Sequence, residues 1–105
     1  MANEELNDAY QEIYRLEDML SEADIQHRIA RCFDGWRIAY PNDTQGCVCS
    51  VIEHRASIGS SQDLLEIMGL LSKKELKHDK VVGYLTAEDV FKRIREDWEK
   101  GSQRL

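Results

Sequence analysis

The chain has no basic excess overall, no long apolar run, and only one proline, six glycines and three cysteines in 105 residues. Each shortage removes a class of protein. Fourteen Lys and Arg against 20 Asp and Glu leave a net charge of -6 and a pI near 5.0. That argues against a dedicated nucleic-acid binder, because phosphate neutralisation needs a clustered basic surface. A bilayer-spanning helix needs about 20 consecutive apolar residues, and no such run occurs. Residues 1–24 carry eight acids and no apolar block, so no signal peptide is expected. The scarcity of Pro and Gly excludes collagen-like and low-complexity chains. The odd set Cys32, Cys47 and Cys49, without a secretory signal, predicts reduced thiols and a cytoplasmic setting.

Catalytic signatures are missing as well. There is no G-x-S-x-G, H-E-x-x-H, Walker A or G-x-G-x-x-G pattern. Cys32, Cys47, Cys49 and His54 do not form the paired knuckles that bend a chain around zinc, so no metal or other cofactor is expected. Cys49 and His54 are five apart on one strand and fall on opposite faces; Cys32 and His27 are poorly aligned on a helix. An enzyme is not expected.

What is present is 42% hydrophobic residues and 32% charged ones, enough for one small soluble domain over 1–105. Residues 4–33 read as one long helix, with Asn3 as its cap. Leu6, Ala9, Ile13, Leu16, Leu20, Ala23, His27 and Ala30 follow at alternating spacings of three and four, an a/d seam. Twenty-eight residues of such a helix are about 42 Å long, more than a body of the remaining residues covers. The seam therefore predicts a homodimer or higher oligomer, with Leu6, Ile13, Leu16 and Leu20 at the contact. The alternative is a break near Ser21, where Ser21-Glu22-Ala23-Asp24 resembles a capping box. The unbroken heptad phase favours the continuous helix.

The body, 36–101, reads as α+β. Residues 36–40 and 47–54 form a hairpin across the turn-rich 41–46, and 81–85 is a third strand. A buried helix is expected over 62–71, where Leu64, Leu65, Ile67, Met68, Leu70 and Leu71 leave no polar side. Ser72 with Glu75 offers a cap and one turn. Thr86 with Asp89 opens a last helix ending near Gly101. The expected order is α-β-β-α-β-α, a three-stranded sheet covered by two helices.

Two binding surfaces follow. Residues 1–24 hold eight acids and one base, a balance of -7, so Glu4, Asp8, Asp18 and Glu22 make an acidic helix face able to steer a basic partner. The loop 55–61, entering the expected helix at 62, offers N–H groups to an anion, with Arg37, His54, Arg55, Ser57 and Ser60 beside it.

The segments Trp36–Pro41, Cys47–His54, Asp63–Leu71 and Val81–Phe91 resemble short phage and prophage proteins of Gram-positive bacteria over roughly residues 36–95. The resemblance carries no catalytic or ligand residue. It implies a phage accessory protein in the bacterial cytoplasm, a setting that includes anti-CRISPR and other anti-defence proteins. The expected function is therefore binding without turnover, inhibiting a bacterial immune or nucleic-acid-processing protein. The partners are a host protein and a second copy, with no direct nucleic acid and no membrane. The alternative is a protein that sequesters a phosphate-containing signalling nucleotide at the 55–61 loop.

Overall fold

A computed structural model describes residues 10–44 and 46–103. Helix α1, Gln11–Glu22, is followed by strands β1 (Arg28–Cys32), β2 (Gly35–Tyr40) and β3 (Cys49–Glu53). A 3₁₀ turn at Ser60–Gln62 leads to β4 (Leu65–Met68), the one-turn helix α2 (Lys73–Leu76), β5 (Val81–Leu85) and helix α3 (Ala87–Gln103). The five strands form one antiparallel meander in the order β1-β2-β3-β4-β5.

Alternation explains the sheet. Ile38, Tyr40, Cys49, Val51, Leu65 and Ile67 point to one face and are buried there against α1 and α3. Ile13, Leu16 and Leu20 of α1 and Val90 and Ile94 of α3 complete the core, each with no exposed surface. Fully burying side chains of this size is worth about 1.5–3 kcal/mol apiece.

The long helix over 4–33 is not what forms. Among the described residues the helix ends at Glu22, close to the alternative break at Ser21. The stop is a Schellman motif: Asp24 is left-handed (φ 59), its N–H bonds Ser21 O, and Ile25 N–H bonds Leu20 O. Leu20 and Ile25, both buried, supply the apolar contact that accompanies such a stop. No glycine marks it, which is why the heptad phase reads through it. Beyond the stop, His27 bonds Glu17 (2.6 Å) and Ile25 O (2.7 Å), and the chain enters β1.

The oligomer seam is corrected with the helix. Ile13, Leu16 and Leu20 are fully buried in the chain's own core, so they present no surface to a second copy; Leu6 lies outside the described residues. The sheet has five strands and not three, because 28–32 and 65–68 are strands. The expected helix over 62–71 is replaced by β4, with Leu65 and Ile67 inward and Glu66 and Met68 outward. Left-handed Asp63 (φ 57) and Leu70 (φ 56) flank it and forbid a continuous helix. The covering helices are α1 and α3. The cap at Ser72 is a reciprocal box with Glu75, and α3 opens on the Thr86–Asp89 box but runs through Gly101 to Gln103.

Candidate functional site

The 54–63 loop joins β3 to β4 at the end of the sheet where α1 and α3 both begin. Most of its N–H groups are already used. Arg55 N–H bonds Asp34 (2.9 Å), Ala56 N–H bonds His54 Nδ1 (3.1 Å), Ser57 N–H bonds His54 O (2.9 Å) and Ile58 N–H bonds Glu66 (2.8 Å). The Ser57 hydroxyl, buried, accepts from His54 N–H and donates to His54 O. Ser60 N–H bonds Ser57 O at 3.3 Å. Arg37 points to the outer face of the sheet, where its Nε–H bonds Ser50 Oγ (2.8 Å). The helix whose N-terminus would have held an anion does not form, and most of the donors that the loop would have offered are spent within the fold. What these bonds produce instead is a loop tied to itself, to the β1–β2 turn and to β4.

That end of the sheet displays apolar side chains. Phe33, in the two-residue turn between β1 and β2, is 71% exposed, and Tyr84 near the end of β5 is 57% exposed. Both hold left-handed backbone, φ 55 and φ 60, which bulky L residues adopt only at a cost of about 1–2 kcal/mol. Ile58, also exposed, lies between them in the loop order and packs over Gly83, where an added Cβ would sit 2.3 Å from Ile58 Cγ2. The Phe33 ring meets buried His54 edge-on at 4.9 Å. Asp34 fixes the turn beneath Phe33 by accepting from Arg55 N–H and from the Tyr10 hydroxyl (2.8 Å). The Arg55 N–H bond, foremost, holds the Asp34 carboxyl below its usual range. Gly35 is required by the same turn, since a Cβ there would lie 1.9 Å from Glu53 O. Two exposed cations, Arg31 and Arg55, stand in this neighbourhood, Arg31 over the Trp36 ring at 5.0 Å.

Beneath the loop lies a buried acid group. Glu53 has no exposed surface; its Oε1 accepts from Ile13 N–H at 3.1 Å. Asp63 accepts from Gln11 N–H (2.8 Å) and Glu12 N–H (3.0 Å), so the start of α1 is capped by the last residue of β3 and by one residue of the β3–β4 connection. Glu12, itself buried, accepts from Ala87 N–H at 2.5 Å and from Arg15 at 2.8 Å. Burial, and next the hydrogen-bonded Asp63 carboxyl, push Glu53 up to about 9.

The other expected residues lie elsewhere. Asp18 and Glu22 are exposed on α1, while Glu4 and Asp8 lie outside the described residues. Cys32, Cys47 and Cys49 are free thiols, and burial pushes Cys49 up to about 12, far from a nucleophile. Among the described residues no His, Cys, Asp and Glu cluster could hold a metal ion, and no helix is long and apolar enough to cross a membrane. A groove of roughly 450 Å³ beside α3 has Arg93 in its wall, fixed in a two-pronged pair with Glu75 and bonded to Leu70 O. That guanidinium, chiefly, holds Glu75 down at about 2. Sequence reasoning missed Phe33, Tyr84 and Glu53. The signal for the turn was Asp34-Gly35, and for Glu53 its phase with Cys49 and Val51 on a strand whose odd positions face inward. No family model, curated protein or solved structure matches the chain.

Proposed function

We propose that this protein acts by binding a partner protein, without turnover, through the rim formed by Phe33, Ile58 and Tyr84. The observation that carries the reading is the pair of exposed aromatic side chains held on left-handed backbone. Folding gains little from an exposed ring and loses by the strained φ, whereas a rigid aromatic anchor is what a binding hot spot needs. Arg31 and Arg55 beside the rim favour a socket that is apolar at its centre and acidic at its edge. The likeness to phage accessory proteins supports a bacterial immune or nucleic-acid-processing protein as that partner, and inhibition as the outcome.

The test uses tagged full-length protein in lysate of a Gram-positive host. Wild type retains a stoichiometric partner, Phe33→Asn with Tyr84→Asn loses it, and an Asp18→Asn, Glu22→Gln control keeps it. Asn tolerates left-handed backbone, so the rim variant melts no lower than wild type by more than the small loss of the His54 contact. A partner kept by the rim variant but lost by the acidic-face variant would move the binding surface to α1.

A further inference from the structure

Glu53 is the deepest charged side chain among the described residues, and its Oε2, with no exposed surface, has no hydrogen-bond donor. The titratable groups that bear on it are carboxyls and a phenol, while β2 sets Trp36 opposite it. Asp63, from the β3–β4 connection, lies in side-chain contact with it; the Glu12 carboxyl of α1 and the Tyr10 phenol, just before α1, lie close enough to feel its charge. The α1 cation, Arg15, is turned away to Glu12 and Glu88. Tyr10 is itself committed, donating to Asp34. With Glu53 and Asp63 both ionised, two negative charges would adjoin in a buried site and Oε2 would stay without a donor. One proton removes both difficulties.

We propose that Glu53 and Asp63 share a single proton, Glu53 Oε2–H donating to Asp63, and that this proton is the latch holding the 54–63 loop on the first turn of α1. The other carboxyl oxygens in the pair already hold the start of the helix: Glu53 Oε1 takes Ile13 N–H, and Asp63 Oδ1 takes Gln11 and Glu12 N–H. Removing the proton to solvent base sets the two carboxylates against each other while both are tied to the same helical turn. Asp63, partly exposed at the end of the 3₁₀ turn, is the member free to move away. Its departure frees the Gln11 and Glu12 N–H groups and loosens the loop at its far end. The upward displacement of Glu53 by burial agrees with a proton retained at neutral pH. The latch is a property of the free protein and stands whether or not the rim binds a partner.

The test is carboxyl-carbon NMR on full-length protein labelled at glutamate and aspartate, from pH 5 to pH 10. In parallel, amide exchange with water is read at Gln11, Glu12 and Ile13. Glu53 should remain protonated at pH 7 and titrate near pH 9. After correction for base catalysis, protection at Gln11 and Glu12 should fall at least tenfold between pH 7 and pH 9.5, while that of Ile13, still held by Glu53, and of Leu20 changes less. In Glu53→Gln the amide donates to Asp63 with no proton to lose, so protection should persist to pH 9.5. In Asp63→Asn the Glu53 midpoint should move down by at least one pH unit, because the new amide can donate to the carboxylate. A Glu53 carboxyl that titrates below pH 6 in wild type overturns the proposal, and so does an equal loss of protection in Glu53→Gln. Should Glu53→Gln fail to fold, the wild-type and Asp63→Asn titrations decide.

Discussion

Helices α1 and α3 lie side by side on one sheet face with similar apolar stripes, yet their ends are made in different ways. The start of α3 is local: Thr86 and Asp89 exchange hydrogen bonds at 3.1 Å within four residues. The start of α1 has no side-chain cap from its own N-cap residue, Tyr10, and takes its acceptors from Asp63 and Glu53, about 50 and 40 residues away. Glu12 then ties the two starts together through Ala87 N–H. A helix end capped by its neighbours is visible in the sequence; one capped across the fold is not.

The largest test of that contrast is pH. Glu53 binds its proton more tightly folded, with a pKa of about 9, than unfolded, near its ordinary 4.5. The folded state therefore holds more protons between those values. This contribution is full below about pH 4.5 and is lost as the pH rises toward 9. Each pH unit across that range removes at most about 1.4 kcal/mol, so the whole loss amounts to several kcal/mol. Urea denaturation of wild type and Glu53→Gln should show the variant gaining on wild type steadily from pH 5 to pH 9. A constant difference would mean Glu53 is ionised in the fold.

Leu20→Ala addresses the other end of α1. Leu20 is fully buried and pairs with Ile25 across the Schellman stop, so the cost should be about 3 kcal/mol. Because the contact is internal, the loss should not depend on protein concentration, as it would for a seam between two copies.

The caps come next. Asp63→Ala strips two N–H groups of their acceptor and puts Ala at φ 57, for about 2 kcal/mol; Thr86→Ala removes one local bond, for about 1 kcal/mol. Equal costs would erase the distinction between distant and local capping.

The smallest effect has the most telling sign. Asp24→Gly relieves a left-handed residue and should stabilise by about 0.5–1 kcal/mol. In a helix running through residue 24 the same change would cost about 1 kcal/mol. Thermal melts read the difference directly.

Some of this was legible. The strand Val81–Leu85, the pairing of 36–40 with the strand at 49–53, the Ser72–Glu75 box and the Thr86–Asp89 box all lie in short stretches whose own residues carry the signal. The stretch Leu64–Leu71 was not, because a run of apolar residues fits a buried helix and a buried strand equally until its neighbours are known. Here β3 on one side and β5 on the other supply the ladder that settles it. The β1–β2 turn hid behind a heptad pattern that happened to stay in phase past residue 24. The rim was illegible for a related reason: nothing in the identity of Phe33 or Tyr84 separates an exposed aromatic from a core one.

Short-range signals in the sequence account for the α+β composition, the acidic surface of α1 at Asp18 and Glu22, the alternation in β2, and the local caps of α2 and α3. These follow from interactions spanning four residues or fewer. Long-range contacts fix where α1 begins and ends, that 28–32 and 65–68 are strands, and that Glu53 is buried beside Asp63. Each of those depends on a partner contributed from elsewhere in the chain: an acceptor for an N–H, a neighbouring strand, or a second carboxyl. Until the chain has folded, that partner is not near enough to act.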